Sequence, residues 1–327
     1  MTIETVGRRV ALGSDRARRA THRLTSVALS IGWRRTWVVD DPAANRPSRA
    51  MSYVRAAWRE SLPPRGVVPA DEEPISVMIP VGPLDTEVAA LAVAGVRANL
   101  LDPIDSITIV TPSRLVDRMT VEVPDESVVA EETVLTADQV AMVRGGTPPD
   151  RSNWYLQQLV KLQFCRAGTT RRTLVIDADT VLVRPQRSRT VDGTALFAAH
   201  EYHQSYFDHL ARLLGDDFSR PVFATTSHQM LYDRDVLDEI VTSIERHHPD
   251  RTWPEAIVDL IDAERLSGFS EGELYGQWMV QHHPADVSIH PFANTALRRA
   301  DALPISASQL SARFGTDHDS VSLHHWL

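Results

Sequence analysis

The middle of this chain limits its fold first, because short continuous apolar runs alternate there with segments of helical period. Ile75 to Val81 is an apolar run of strand length broken by Gly82-Pro83, and Asp85 to Leu100 carries an Ala/Val/Leu-rich helical pattern. Ser106 to Val110 is a second strand, closed by Thr111-Pro112. Strand, helix and strand in that order imply a βαβ unit, parallel pairing, and ligands at the carboxyl ends of the strands. A third strand is predicted near Ser127 to Val134, then a short helix from Thr136, a Gly145-Gly146-Thr147-Pro148-Pro149 loop, and an amphipathic helix over Asn153 to Ala167. Ala195 to Ala199 and Val222 to Ala224 read as further buried strands, and an acidic helix begins at Asp233. The class is α/β, with a Rossmann-like, mostly parallel central sheet flanked by helices.

The segment Thr173 to Val183 carries the chemistry. It is an apolar strand running into Asp177-Ala178-Asp179. Side chains alternate faces along an extended backbone, so two acids two positions apart can point the same way at the strand end. In an apolar setting two like charges raise a carboxylate pKa or call for a cation between them, and a hard divalent ion with oxygen ligands is the natural occupant. The plain alternative is an acidic turn after a strand.

Charge divides the chain. Residues 1–70 hold 13 Arg against 5 acidic residues, a balance of +8, and the rest carries −17. Residues 1–70 are expected to be a helical basic extension and 71–327 the folded body, with Arg65 to Pro74 as the linker. The extension can fold back on the acidic body or make peripheral contact with anionic membrane. Nucleic acid is excluded as a partner, since the body is strongly acidic and lacks a basic-aromatic platform. The apolar runs all fall short of about 18 residues, so no spanning helix is expected. With no secretory pattern at the start, a cytoplasmic location is the default expectation. The lone Cys165 excludes a disulfide framework and a cysteine metal cluster.

Other candidates cluster around these elements. Trp154, Gln157, Gln158 and Lys161 are three to four residues apart on one helix and so can share a face. Lys161 is the single lysine beside 33 arginines, which suits a need for a compact ammonium near a phosphate. Thr225-Thr226-Ser227-His228 is a polar cluster at a strand end, and His228 is either a substrate contact or a turn residue. Ser270 and Glu273 have the spacing of a capping box, which leaves Glu271 for cap electrostatics or a substrate. His290, His318, His324 and His325 include a candidate nitrogen ligand for a manganese-like ion.

Taken in order, Trp154 to Leu162, Val175 to Thr180, Ser227-His228 and Ser270 to Gly276 resemble a group of largely uncharacterised bacterial glycosyltransferase-like proteins of GT-A fold and D-x-D type, over roughly residues 74 to 300. The resemblance implies a metal-dependent, hexosyltransferase-like enzyme taking a nucleotide-sugar donor and a glycan, lipid or small-molecule acceptor. It implies that Asp177 and Asp179 hold Mn2+ or Mg2+. It places Pro80, Val81 and Gly82 near the nucleotide, with Gln157, Gln158, Lys161 and Ala178 along the donor surface. Lys161 would assist the leaving diphosphate, and Glu271 and His228 are the candidate bases for an inverting reaction; the sequence does not choose between inversion and retention. Two other readings stand beside it. In a haloacid-dehalogenase-type phosphatase, Asp177 would be the nucleophile, Asp179 the acid and base, and Asp216-Asp217 the later acidic motif. In a non-catalytic GT-A-like protein, the same cleft would bind a nucleotide or glycan without turnover.

Overall fold

Strand β1 (Ile75–Pro80) is buried along its whole length. Its Ile75, Val77 and Ile79 enter one apolar cluster with Ala89, Ala92, Val93 and Val96 of helix α1 (Ala89–Asn99). Met78, on the opposite face, enters another cluster. A strand covered on both faces has no position for an exposed polar side chain, which is why its sequence runs apolar rather than alternating. The computed structural model describes residues 61–325, apart from 63–64, 200–201, 222, 266 and 304. The predicted basic helix and its lipid contact fall almost wholly outside the described residues.

The chain continues through β2 (Ile104–Thr111), α2 (Val116–Glu122), β3 (Ser127–Ala130), α3 (Ala137–Gly146), α4 (Ser152–Ala167), β4 (Arg172–Ile176) and β5 (Thr180–Leu182). Next come β6 (Arg189–Thr190), β7 (Gly193–Ala198), α5 (Gln204–Leu214), β8 (Gln229–Asp233), α6 (Arg234–His247), α7 (Trp253–Asp259) and α8 (Glu271–His282). The last described elements are β9 (Val287–Pro291), β10 (Asn294–Arg298), α9 (Arg299–Ala302), α10 (Ala307–Phe314) and β11 (Ser320–His324). The central sheet has the order β3-β2-β1-β4-β8. Its first four strands are parallel and β8 returns antiparallel against β4. Two small sheets, β10-β11-β5 and β6-β7-β9, complete a mixed α/β fold. Among the described residues no helix is long and apolar enough to cross a membrane.

Several expected boundaries move, each for a local reason. The third strand stops at Ala130 because Glu131–Thr133 turn into a 3-10 helix. Gly145 and Gly146 close α3 instead of opening a loop. A Cβ on Gly146 would come 2.5 Å from Val258 Cγ1, so the glycine permits α3 to pack on α7. Helix α1 starts at Ala89, and Asp85 stays in the preceding turns with its carboxylate on Arg299 Nη2 at 2.6 Å. Phe223 and Ala224 lie outside any strand. The expected linker is fastened to the body, with Val191 N–H donating to the Val68 carbonyl at 3.1 Å and Arg172 Nη1 to Glu73 at 2.8 Å.

Two buried positions give measurable consequences. A Cβ on Gly95 would lie 2.8 Å from the backbone nitrogen of Leu182, so α1 can cross β5 only where it has no side chain. Gly95→Ala gains about 1 kcal/mol of helix propensity, but overpacking against backbone costs about 1–3 kcal/mol. A net loss in urea midpoint at constant m is therefore expected. His209 is fully buried in α5, and its Nε2–H donates to the Ile257 carbonyl at 2.9 Å, so the neutral ring is the one that fits. Burial pushes its pKa down to about 4, against the raising effect of that hydrogen bond. The unfolded chain takes up this proton near pH 6.5 and the folded chain only near 4, so stability falls as pH drops through that window. The loss is on the order of 3 kcal/mol. Chemical denaturation at pH 7 and pH 4.5 should show that slope, and His209→Phe should flatten it.

Candidate functional site

Strand β4 ends at Ile176, and the two acids of the D-x-D segment stand beyond it in a tight turn closed by Thr180 N–H to the Asp177 carbonyl at 2.9 Å. Strand alternation therefore does not set their directions, which corrects the sequence expectation. The turn does, and both acids line one cleft of about 250 Å³ at the carboxyl ends of β1 and β4. That volume lies just below the usual range of small-molecule sites, about 300–1,000 Å³.

Two antiparallel returns bring histidines to this turn. Because β8 runs against β4, with Gln229 opposite Ile176, the residue before β8 falls beside the residue after β4. His228 Nδ1 accordingly lies 3.1 Å from Asp177 Oδ2, and its carbonyl accepts from the Asp177 N–H at 3.0 Å. Because β11 runs against β5, with Ser322 opposite Thr180, the Leu323 N–H donates to the Asp179 carbonyl at 2.7 Å, and His324 comes next to that acid. Its Nδ1 is 3.1 Å from Asp179 Oδ2, and the two imidazole centroids are 5.8 Å apart. Of the other tail histidines, His325 lines the cleft, His290 is buried in β9, and His318 packs its ring against Phe314.

The opposite wall is α4. Trp154, Gln157, Gln158 and Lys161 all line the cleft, as their spacing implied. Lys161 is 7 % exposed, and its Nζ donates to Asp177 Oδ1 and to Glu271 Oε1, both at 2.8 Å. Its ammonium is thus held between two carboxylates. Burial works against that charge, but Asp177 and Glu271 outweigh it and raise the Lys161 pKa well above the ordinary lysine value. Burial likewise pushes the Asp177 carboxyl up, while Lys161 and His228 prevail and hold it below the usual carboxylate range. For His228 burial lowers the pKa, but the Asp177 hydrogen bond and the Asp177 and Asp179 charges leave it raised. The result is a continuous polar chain, Glu271–Lys161–Asp177–His228, with the Asp179–His324 pair alongside.

Glu271 opens α8, and its N–H donates to Gln158 Oε1 at 3.0 Å. Glu273 does not complete the expected capping box. Ser270 Oγ accepts from the Glu273 N–H at 3.2 Å, but the Glu273 carboxylate turns inward and is fully buried. It accepts from the N–H groups of Thr225 and Thr226 at 2.8 and 2.9 Å, from both threonine hydroxyls, and from Gln277 Nε2 at 3.0 Å. The loop ahead of His228 needs those acceptors because it forms no sheet ladder. Pro80 lines the cleft, Ala178 does so from the turn, Val81 is buried in the core, and Gly82 follows in the turn after β1. Asp216 and Asp217 sit elsewhere. Asp217 borders a separate groove, where it pairs with Arg246 and Ser243.

Sequence reasoning missed Asp85, Tyr206 and Ser270 on the cleft wall. Asp85 was findable, since it follows the Gly82-Pro83 break at the end of β1, where such folds place ligands. Burial raises its pKa, Arg299 opposes that, and the charges of Asp179 and Asp177 raise it further.

The chain belongs to the family described as "Family of unknown function (DUF6492)", which it matches over residues 99–310. None of the curated proteins matches it. Among solved structures it is similar to the apo form of mouse xyloside xylosyltransferase 1, at 10 % identity and a TM-score of 0.43, over 77 % of this chain and 98 % of that one.

The role of Glu273 separates cleanly from capping. Glu273→Ala leaves several buried donors without an acceptor and is expected to cost about 3–5 kcal/mol. Ser270→Ala removes a cap and a long 3.4 Å contact with the Thr226 hydroxyl and should cost about 1 kcal/mol. Equilibrium denaturation of both variants checks the ratio.

Proposed function

We propose that this protein is a metal-dependent glycosyltransferase that moves a sugar from a nucleoside-diphosphate donor to an acceptor. The observation that carries the reading is the meeting, in one cleft at the carboxyl ends of parallel strands, of Asp177, Asp179, two imidazoles and the single lysine.

The donor set suits a divalent ion. Four carboxylates, those of Asp85, Asp177, Asp179 and Glu271, share the cleft with Lys161, and Arg299 is bound to Asp85. The four acids thus outnumber the two fixed cations, Lys161 and Arg299, by two. Burial is the main cause of the raised Asp85 pKa, and the Asp179 and Asp177 charges add to it. Among the described residues no three His, Cys, Asp or Glu side chains are arranged to hold a metal ion as they stand. Oxygen from Asp177 and Asp179 and nitrogen from His324 are the groups that would hold the ion, each now engaged in a hydrogen bond that coordination would replace. When bound, such an ion supplies a Lewis acid for the diphosphate oxygens.

The chain's own residues do the rest. Lys161 keeps its proton at neutral pH and so places a fixed positive charge beside Asp177, where a departing diphosphate gathers negative charge. His228 orients the Asp177 carboxylate through Nδ1. Glu271, held at Oε1 by Lys161, faces the cleft with further acceptor capacity and is the better placed of the two candidate bases, because His228 already serves Asp177. The phosphatase reading is weaker on placement, since Asp217 lies on another groove and is paired there.

The experiment is a folded Asp179→Asn variant assayed with manganese and a panel of nucleotide sugars for transfer or donor hydrolysis. Activity is expected to fall at least about a hundredfold, as when a transition-state electrostatic contact is lost. Undiminished turnover sinks the proposal. Nucleotide binding by wild type without any turnover would establish the binding-only alternative.

A further inference from the structure

We infer that the Gln158–Glu271 end of the cleft is a hydroxyl-reading subsite for the neutral ring of a carbohydrate. Gln158 Nε2 would donate to a ring hydroxyl, and the Glu271 carboxylate would accept from that hydroxyl or its neighbour. Gln158 is 2 % exposed and stands on the cleft wall. Its Oε1 accepts from the Glu271 N–H at 3.0 Å. A backbone N–H can be met only by the amide oxygen, so this bond fixes which way the amide is turned. Nε2 is buried and has no hydrogen-bond partner among the described residues. Buried donors in native proteins are rarely left so, and the side chain that carries this one lines a cleft that a ligand can fill.

The surroundings decide what kind of ligand. A phosphate or carboxylate would meet the Glu271 carboxylate beside the same amide, and Lys161 is already shared between Glu271 and Asp177. An apolar group would leave Nε2 unpaired. A hydroxyl both donates and accepts, so it can satisfy an amide N–H and a carboxylate side by side, which neither an anion nor an apolar group can. Lys161 uses Oε1 of Glu271, while a carboxylate accepts about four bonds in all. Trp154 and Tyr206, whose rings stack at 6.4 Å and 23°, give the same part of the wall an apolar surface suited to the C–H face of a pyranose. The inference deepens the transfer reading and rests on it for the molecule that brings the sugar. The subsite itself is defined without nucleotide or metal.

The test is saturation-transfer NMR on the full chain with methyl glycosides of glucose, galactose, mannose and xylose, with inorganic phosphate as competitor. Gln158→Glu keeps an acceptor for the Glu271 N–H and reverses the donor, whereas Gln158→Met removes both; thermal melts report whether each is folded. At least one glycoside is expected to bind wild type, to resist displacement by phosphate, and to bind each folded variant about tenfold or more weakly. Monodeoxy analogues of that glycoside, tested on wild type, should lose binding at one or two hydroxyls only, a result that needs no variant. The inference is overturned if no glycoside binds, if phosphate displaces the sugar, if a folded variant binds unchanged, or if every deoxy analogue binds alike. Thermal shift with uridine and guanosine diphosphates, with and without manganese, is read separately. Nucleotide binding without sugar binding overturns this subsite alone, and sugar binding without nucleotide binding supports the subsite while removing the transfer reading.

Discussion

A single buried ammonium organises the cleft. Lys161 leaves water, which is costly, and it stays charged only because two carboxylates from distant parts of the chain meet it at 2.8 Å. The pairing works in both directions. Without Lys161, Asp177 and Glu271 would face each other as like charges in a half-closed site; without either acid, the ammonium would be stranded in the protein interior. Removing one member of such a cluster typically costs about 3–5 kcal/mol, because it leaves a buried charge uncompensated. The cluster therefore locks α4, the turn after β4 and the first residue of α8 into one arrangement.

Around that lock, topology does the assembly. The parallel strands β1 and β4 deliver Pro80 and Asp177 to the same edge, as their register requires. The two antiparallel additions then set one imidazole each at that edge, His228 just before β8 begins and His324 where β11 ends. Nothing about His228 or His324 as residue types demands this. Their place at the end of a returning strand does. Glu273 serves the same end from behind by absorbing the donors of the loop that leads into β8.

Much of the scaffold was legible because burial on both faces of a sheet writes itself into sequence as an apolar run. Ile75–Pro80 and Arg172–Ile176 were found that way, and α4 came from its period, with its cleft-facing residues spaced along one face. What sequence could not supply was partnership across long separations. Lys161 suggested a phosphate ligand, but its partners are 16 and 110 residues away. Glu273 fitted a local capping pattern, and a buried demand 47 to 48 residues distant drew its carboxylate inward instead. Four tail histidines looked equivalent, and only strand pairing singled out His324. Local chemistry is visible in a one-dimensional string; the competition between a local bond and a remote one is decided in three dimensions.

The pairing of β11 with β5 carries a consequence for biosynthesis. A nascent chain emerging from the ribosome can fold its parallel core early, since β1, β2, β3 and β4 all precede residue 180. It then holds Asp179 without His324 until the segment 320–324 arrives and docks. The acidic turn is thus born incomplete and is finished by one of the last strands to pair. A truncated product that ends after α8 but short of residue 324 contains all five strands of the central sheet yet lacks the imidazole beside Asp179.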